Sequence, residues 1–190
     1  DPFTPRTLLQ GLISAMAQRN VRLSLINASR DEAEKLLASG QADLGICQAG
    51  HRSVGDAMEW RALGAIEMDF YAAEALFPGA KQPLSLLELS LAPQVIMHPD
   101  TDEPVARRLQ ISGHTIFTND LEMLRGLLEQ GCGWGFLPTH MNAAHWKNVT
   151  TLRTEVGNQG IGQTMVTIWK PGNDRRALVA DTLDLLPALW

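Results

Sequence analysis

Apolar residues recur at helical spacing near the start of the chain. Leu8, Leu9, Leu12, Ile13 and Met16 share one face of a helix expected over 5–19. Thr4-Pro5 reads as its beginning: threonine as N-cap, proline in the first turn, where a missing N–H matters least. The period then changes. Val21-Arg22-Leu23-Ser24-Leu25 alternates and predicts a strand. Ser29 and Glu32 stand three apart, as in a capping box, and open a helix with Ala33, Leu36 and Leu37 on one face. Gly40 closes that helix, and 42–47 is a short apolar strand. A helix–strand–helix–strand series implies parallel pairing with helices packed on the sheet. Such a series lacks its first strand here, so an opening strand is expected upstream of Asp1.

Residues 48–59, rich in Gly, Ser and charge, read as a loop. Ile66, Met68 and Phe70 alternate in a strand that runs on towards Ala73, and Phe77-Pro78-Gly79 breaks the chain. A helix at 84–89, a strand at 94–97, a helix at 104–109 and a strand at 114–117 follow. Asn119 and Glu122 repeat the capping-box pattern and open a helix carrying Leu121, Leu124, Leu127 and Leu128, which Gly131 ends. Strands at 134–137 and 165–169 precede a last helix, capped by Asp174. The fold class is α/β, in two lobes with mainly parallel sheets: 1–70 with 163–190, and 71–162. The two leucine stripes are core by default. Both look wide for one helix face, so Leu9, Leu12, Met16, Leu124 and Leu128 are also candidates for a dimer interface.

Length and charge narrow the picture. The 190 residues suffice for one α/β domain or two small lobes, and no apolar run approaches the roughly 20 residues that cross a bilayer. No basic segment leads into an apolar core at the start, although a processed secreted chain would begin the same way. A net charge of -5 argues against direct nucleic-acid binding, which needs a basic surplus to neutralise phosphates. Any action on DNA would pass through residues outside this sequence. Cys47 and Cys132 lie far apart, as a disulfide or as two buried thiols, and the second fits an intracellular protein. Nothing basic flanks Cys132 to stabilise a thiolate.

A search for chemistry yields little. There is no Gly-x-Ser-x-Gly elbow, Walker loop or dinucleotide fingerprint, and no cofactor is implied. Gly131-Cys132-Gly133-Trp134-Gly135 follows a helix and precedes a strand, the wrong order for cradling phosphate. His140 and His145, five apart, miss the spacing of a two-histidine zinc helix, so no metal is expected. His98 closes an apolar strand before Pro99 and either faces a cleft or sits in a surface turn. What remains suits binding. Helix starts at Thr4, Ser29 and Asn119 belong at the carboxyl edge of an α/β sheet, where free N–H groups favour an anion.

These landmarks, in this order, resemble the effector-binding domain of LysR-type transcriptional regulators. The run Ser29-Arg30-Asp31-Glu32-Ala33-Glu34-Lys35-Leu36-Leu37-Ala38-Ser39-Gly40-Gln41-Ala42-Asp43-Leu44-Gly45-Ile46, preceded by the 21–25 strand, is similar to that family's "L–L–x–G–x–x–D–L–x–I" helix and strand. Gly131-Cys132-Gly133-Trp134-Gly135-Phe136-Leu137-Pro138 is similar to its "aGlGi-x-lLP" stretch, with Trp134 in place of an aliphatic residue. The resemblance implies a two-lobed fold of the periplasmic-binding-protein type 2 kind and no enzymatic activity. It places a small-molecule effector between the lobes, at Phe3, Thr4, Asn27, Ser29, Gln48, Met97, His98, Thr118, Asn119 and Trp134. The expected effector is an anionic or aromatic metabolite, with the helix starts as donors and Trp134 as an apolar wall. It further implies a cytoplasmic homodimer without membrane contact, reaching DNA through an N-terminal winged helix-turn-helix outside this sequence. A periplasmic solute-binding protein would share the fold and is the alternative.

Overall fold

The computed structural model describes residues 1–49, 57–97, 110–156 and 161–190. His98, the helix expected over 104–109 and most of the loop expected over 48–59 lie outside the described residues. The chain divides into two units, Asp1–Ile66 with Gln163–Trp190, and Glu67–Gly162. It passes from one to the other inside two long strands, β2 (Glu59–Ala73) and β7 (Ile161–Trp169).

In the first unit, α1 (Arg6–Gln18) buries Leu8, Leu12 and Met16, successive residues four apart on one stripe. Gly11 lets the closing helix, here α5 (Ala177–Leu189), approach closely: a Cβ there would stand 2.8 Å from a Leu189 methyl carbon. Asn20, at positive φ, ends the helix, and Val21 N–H donates back to Met16 O. Ser29 caps α2 (Arg30–Ala38), which ends at Gly40 with φ of +75°, as the sequence predicts. The short apolar strand that follows is β1 (Gly45–Gln48), antiparallel to β7 from Gly45 opposite Ile168 to Gln48 opposite Met165. Leu37, Cys47, Met58, Val166 and Ile168 form one core cluster, and Trp169, Val179 and Leu183 another. Each such aliphatic side chain contributes roughly 1.5–3 kcal/mol by leaving water.

The strand expected at 21–25 does not form. Residues 21–29 have no regular structure, and Leu23, Leu25 and Ile26 are 37%, 52% and 55% exposed. Alternation supplies an apolar face, but a strand also needs a neighbour for its N–H and C=O groups, and among the described residues none pairs with this segment.

The second unit is built around β3 (Gln94–Met97), which runs parallel to β4 (Thr115–Thr118) on one side and to β5 (Trp134–Pro138) on the other. β5 pairs antiparallel with the second half of β2, as does β6 (Val149–Thr151), a strand the sequence pattern misses. The sheet is therefore mixed: parallel at β3, β4 and β5, antiparallel at β1 with β7 and along β2. Phe70, Leu84, Leu89, Trp134 and Leu152 fill the core, with the Phe70 ring 5.6 Å from Trp134 and 4.9 Å from Phe136 between centroids. α3 (Leu86–Leu91) starts in a reciprocal capping box: Ser85 N–H donates to a Glu88 carboxylate oxygen at 2.8 Å, and Glu88 N–H to Ser85 Oγ at 3.2 Å. α4 (Leu121–Glu129) follows β4 and ends at Gly131, φ +74°.

Candidate functional site

In the first unit, the carboxyl end of β1 and the amino end of α2 are tied together by Arg30. Its Nη1 donates to the Gln48 carbonyl at 3.1 Å and its Nε to the Glu34 carboxylate at 3.0 Å, with the side chain only 17% exposed. Ser29 Oγ accepts from Glu32 N–H at 3.2 Å, so the hydroxyl answers one of the helix's unpaired donors. Asn27, just before it, is exposed. Arg30 and the adjoining Ser29 place a guanidinium and a hydroxyl at one strand end, chemistry that suits a carboxylate or phosphate. Sequence reading overlooked Arg30; its signal was a cation at the first position of a capped helix that returns to a strand.

Thr4 and Phe3 stand differently from expectation. Both are buried, and the N-cap of α1 is Pro5, without a side-chain cap. Asp1 organises the turn instead: its Oδ1 accepts from Phe3 N–H at 2.8 Å and its carbonyl from Thr4 N–H at 3.1 Å. Proline has no N–H, so a hydroxyl one residue earlier finds one donor fewer within reach.

In the second unit, Met97 is buried at the end of β3 and Thr118 half-buried at the end of β4. The cap of α4 is Asp120 and not Asn119: its Oδ1 accepts from Met123 N–H at 2.7 Å. Thr118 Oγ1 accepts from Asp120 N–H at 3.1 Å, while Asn119 stands exposed between them. A carboxylate already seated on this helix end disfavours a second anion there. Trp134 is not a wall of a cleft. It is fully buried in β5, and its indole N–H donates to Leu89 O at 2.9 Å, so it belongs to the core of its unit.

A family model, the LysR substrate binding domain, matches residues 2–190. The chain belongs to that family. Solved structures of LysR regulatory domains share its fold at low identity. An E204G variant of the OxyR2 regulatory domain from Vibrio vulnificus is 18% identical, with a TM-score of 0.75 over 100% of this chain and 90% of that one. The regulatory domain of CcmR from Synechocystis PCC6803, solved in complex with 2-PG, is 13% identical, with a TM-score of 0.74 over 96% and 90%. The oxidised form of OxyR is 19% identical, with a TM-score of 0.73 over 99% and 92%. The fold is thus of the periplasmic-binding-protein type 2 kind. A comparison with curated sequences gives no match.

In this LysR domain the leucine stripes are spent inside the units. Leu12, Met16, Leu124 and Leu128 are buried, and Leu9 is half-buried. The large apolar side chains that remain outward on the same helices are Ile13, 47% exposed, and Met123, 59%. Cys47 and Cys132 are both free; Cys47 is buried, which pushes its thiol pKa up and away from thiolate chemistry. Among the described residues, no group of three or more His, Cys, Asp or Glu is placed to hold a metal ion, and no helix is long and apolar enough to cross a membrane.

Proposed function

We propose that this domain senses a small anionic effector for a LysR-type transcriptional regulator and catalyses no reaction. The observation that carries the reading is Arg30: a largely buried guanidinium, paired with Glu34 and bonded to the end of β1 beside the Ser29 cap. Asn27, Ser29 and Gln48 in the first unit, and Met97, Thr118 and Asn119 in the second, are the further candidate effector contacts, with His98 outside the described residues. With Trp134 withdrawn into the core, an aromatic effector loses its expected stacking partner, and the reading settles on a carboxylate or phosphate. Effector binding shifts the population of domain conformations, and a homodimer carries that shift to a DNA-binding domain outside this sequence. For the dimer surface we favour the outward sides of α1 and α4, at Ile13 and Met123, over the buried stripes.

Isothermal calorimetry against a panel of small carboxylates and phosphates tests the reading. At least one should bind, and Arg30→Gln should weaken it about 10-fold or more, the scale of one charge-assisted hydrogen bond. Ser29→Ala and Asn119→Ala should weaken it less. A ligand that binds all three variants as it binds the parent removes these residues from the site.

A further inference from the structure

Arg30 is the first residue of α2, and helix energetics do not account for it there. The positive end of the helix dipole lies at the first turn, which favours acids over a cation. Its partner Glu34 follows one turn later, the weaker order for an i,i+4 ion pair. What the pair does secure is the plane of the guanidinium. Glu34 Oε1 accepts from Arg30 Nε at 3.0 Å, and the Gln48 carbonyl accepts from Nη1 at 3.1 Å. One anchor belongs to α2 and the other to the end of β1, so the group is held from two elements. Of the five guanidinium N–H groups these bonds engage two. The rest have no protein acceptor among the described residues, although the side chain is only 17% exposed. Both charges reach the strand end. Burial raises the pKa of the neighbouring Cys47 thiol, the Arg30 charge draws it down, and the Glu34 charge raises it again.

We propose that Glu34 is a specificity-determining residue: it answers the charge of Arg30 while leaving guanidinium N–H groups open, and so selects a singly charged carboxylate over a doubly charged phosphate. Glu34 plays this part only if Arg30 touches the effector, as proposed above. The open donors offer hydrogen bonds to any anion oxygen, and they are strong ones because the donor is ionised. The charge balance then decides how much negative charge is welcome. A pair that sums to zero returns little for a second negative charge on the ligand, and taking that charge out of water costs more than taking the first. In a largely sheltered place these charges act on one another more strongly than in bulk water. Glu34 is the one acid bonded to Arg30; Asp31 and Glu32, also in the first turn, are exposed.

The test titrates sulfate and acetate into the 190-residue chain at neutral pH and fixed ionic strength, following the backbone amide resonances of Ser29 to Glu32. Sulfate stands for the doubly charged class and acetate for the singly charged one. Glu34→Gln keeps an oxygen for Arg30 Nε and removes only the charge. It should raise the ratio of sulfate to acetate affinity about 10-fold. Glu34→Asp, which keeps the charge on a shorter arm, should hold the parent ratio within about 3-fold. An unchanged ratio in Glu34→Gln overturns the proposal. So does an equal rise in Glu34→Asp, which would make placement of the guanidinium, and not charge, the role of Glu34. Absence of any shift with either anion, in the parent and in Glu34→Gln alike, overturns it too. Arg30→Gln tells this failure from that of the sensing site. Loss of both anions in that variant with a fixed ratio in Glu34→Gln removes Glu34 alone, whereas unaltered binding in Arg30→Gln removes Arg30 and Glu34 together.

Discussion

β3 in the second unit and residues 21–25 in the first are both short runs that the sequence pattern marks as strands, yet they meet opposite fates. Gln94, Val95, Ile96 and Met97 are all buried, with β4 and β5 hydrogen-bonded on either side. Leu23 and Leu25 are exposed and unpaired. The difference is not in propensity, since both runs favour extended backbone. It lies in neighbours: β3 has two, and Gln94 adds a third tie, its Oε1 accepting from Ile111 and Ser112 N–H at 2.8 and 3.1 Å. A strand is a property of a pair, and a pattern in one chain segment describes only half of it.

The largest expected effect comes from removing what the second unit has in full. Trp134 joins β5 to α3 through its bond to Leu89 O and packs on Phe70. Trp134→Ala should destabilise the protein by about 3–5 kcal/mol, from lost burial, the cavity left behind and an orphaned carbonyl. Urea unfolding followed by circular dichroism measures it. A loss below about 1 kcal/mol would mean the site collapses freely and that the core is less close-packed than the geometry indicates.

A middle-sized effect separates local capping from packing. Ser85 holds the start of α3, and its backbone and hydroxyl hydrogen bonds keep the Glu88 carboxyl below the usual carboxylate range. Ser85→Ala should therefore destabilise by about 1 kcal/mol at neutral pH. The sign of the pH dependence follows from the depressed folded-state pKa. The Glu88 contribution is fully present above the unfolded pKa and is lost as pH falls through the lower folded value. Acid titration of the urea midpoint should show a steeper decline for the parent than for Ser85→Ala below about pH 4.3. Parallel curves would remove the Ser85 hydroxyl as a cause and leave the backbone N–H of residue 85, which alanine keeps, to hold the shift.

What the sequence made legible follows from the range of each signal. The helices are set by local periodicity and by glycines at positive φ, and α1, α2 and α4 fall within a residue or two of expectation, as end effects allow. Caps fail where two candidates adjoin: Asn119 and Asp120 can each accept a helix N–H, and only the backbone turn at Thr118 chooses between them. Asp174 fails likewise, since a short 3-10 turn at Asn173–Arg175 precedes α5 and Arg176 takes the cap position. β2 begins at Glu59, seven residues before the alternation at Ile66 shows it, because its first half is largely exposed and gives no clean apolar pattern. The site was the least legible part. Trp134 carries an apolar ring and a donor, which suits a ligand wall and a core equally, and its buried partner Leu89 is 45 residues away.

The smallest expected effect is the sharpest probe of the comparison. Leu25→Ser removes a branched apolar side chain that is 52% exposed, from a segment with no ladder bonds. In the chain as it stands the change should fall within about 0.5 kcal/mol, as for surface substitutions away from special features. The same substitution in β3, Ile96→Ser, removes a side chain that is 4% exposed and places a hydroxyl in the core, so it should exceed about 2 kcal/mol. Denaturant midpoints of the two variants against the parent give the contrast directly. If Leu25→Ser proves as damaging as Ile96→Ser, residues 21–25 are already paired and buried in solution, and the contrast between the two units dissolves.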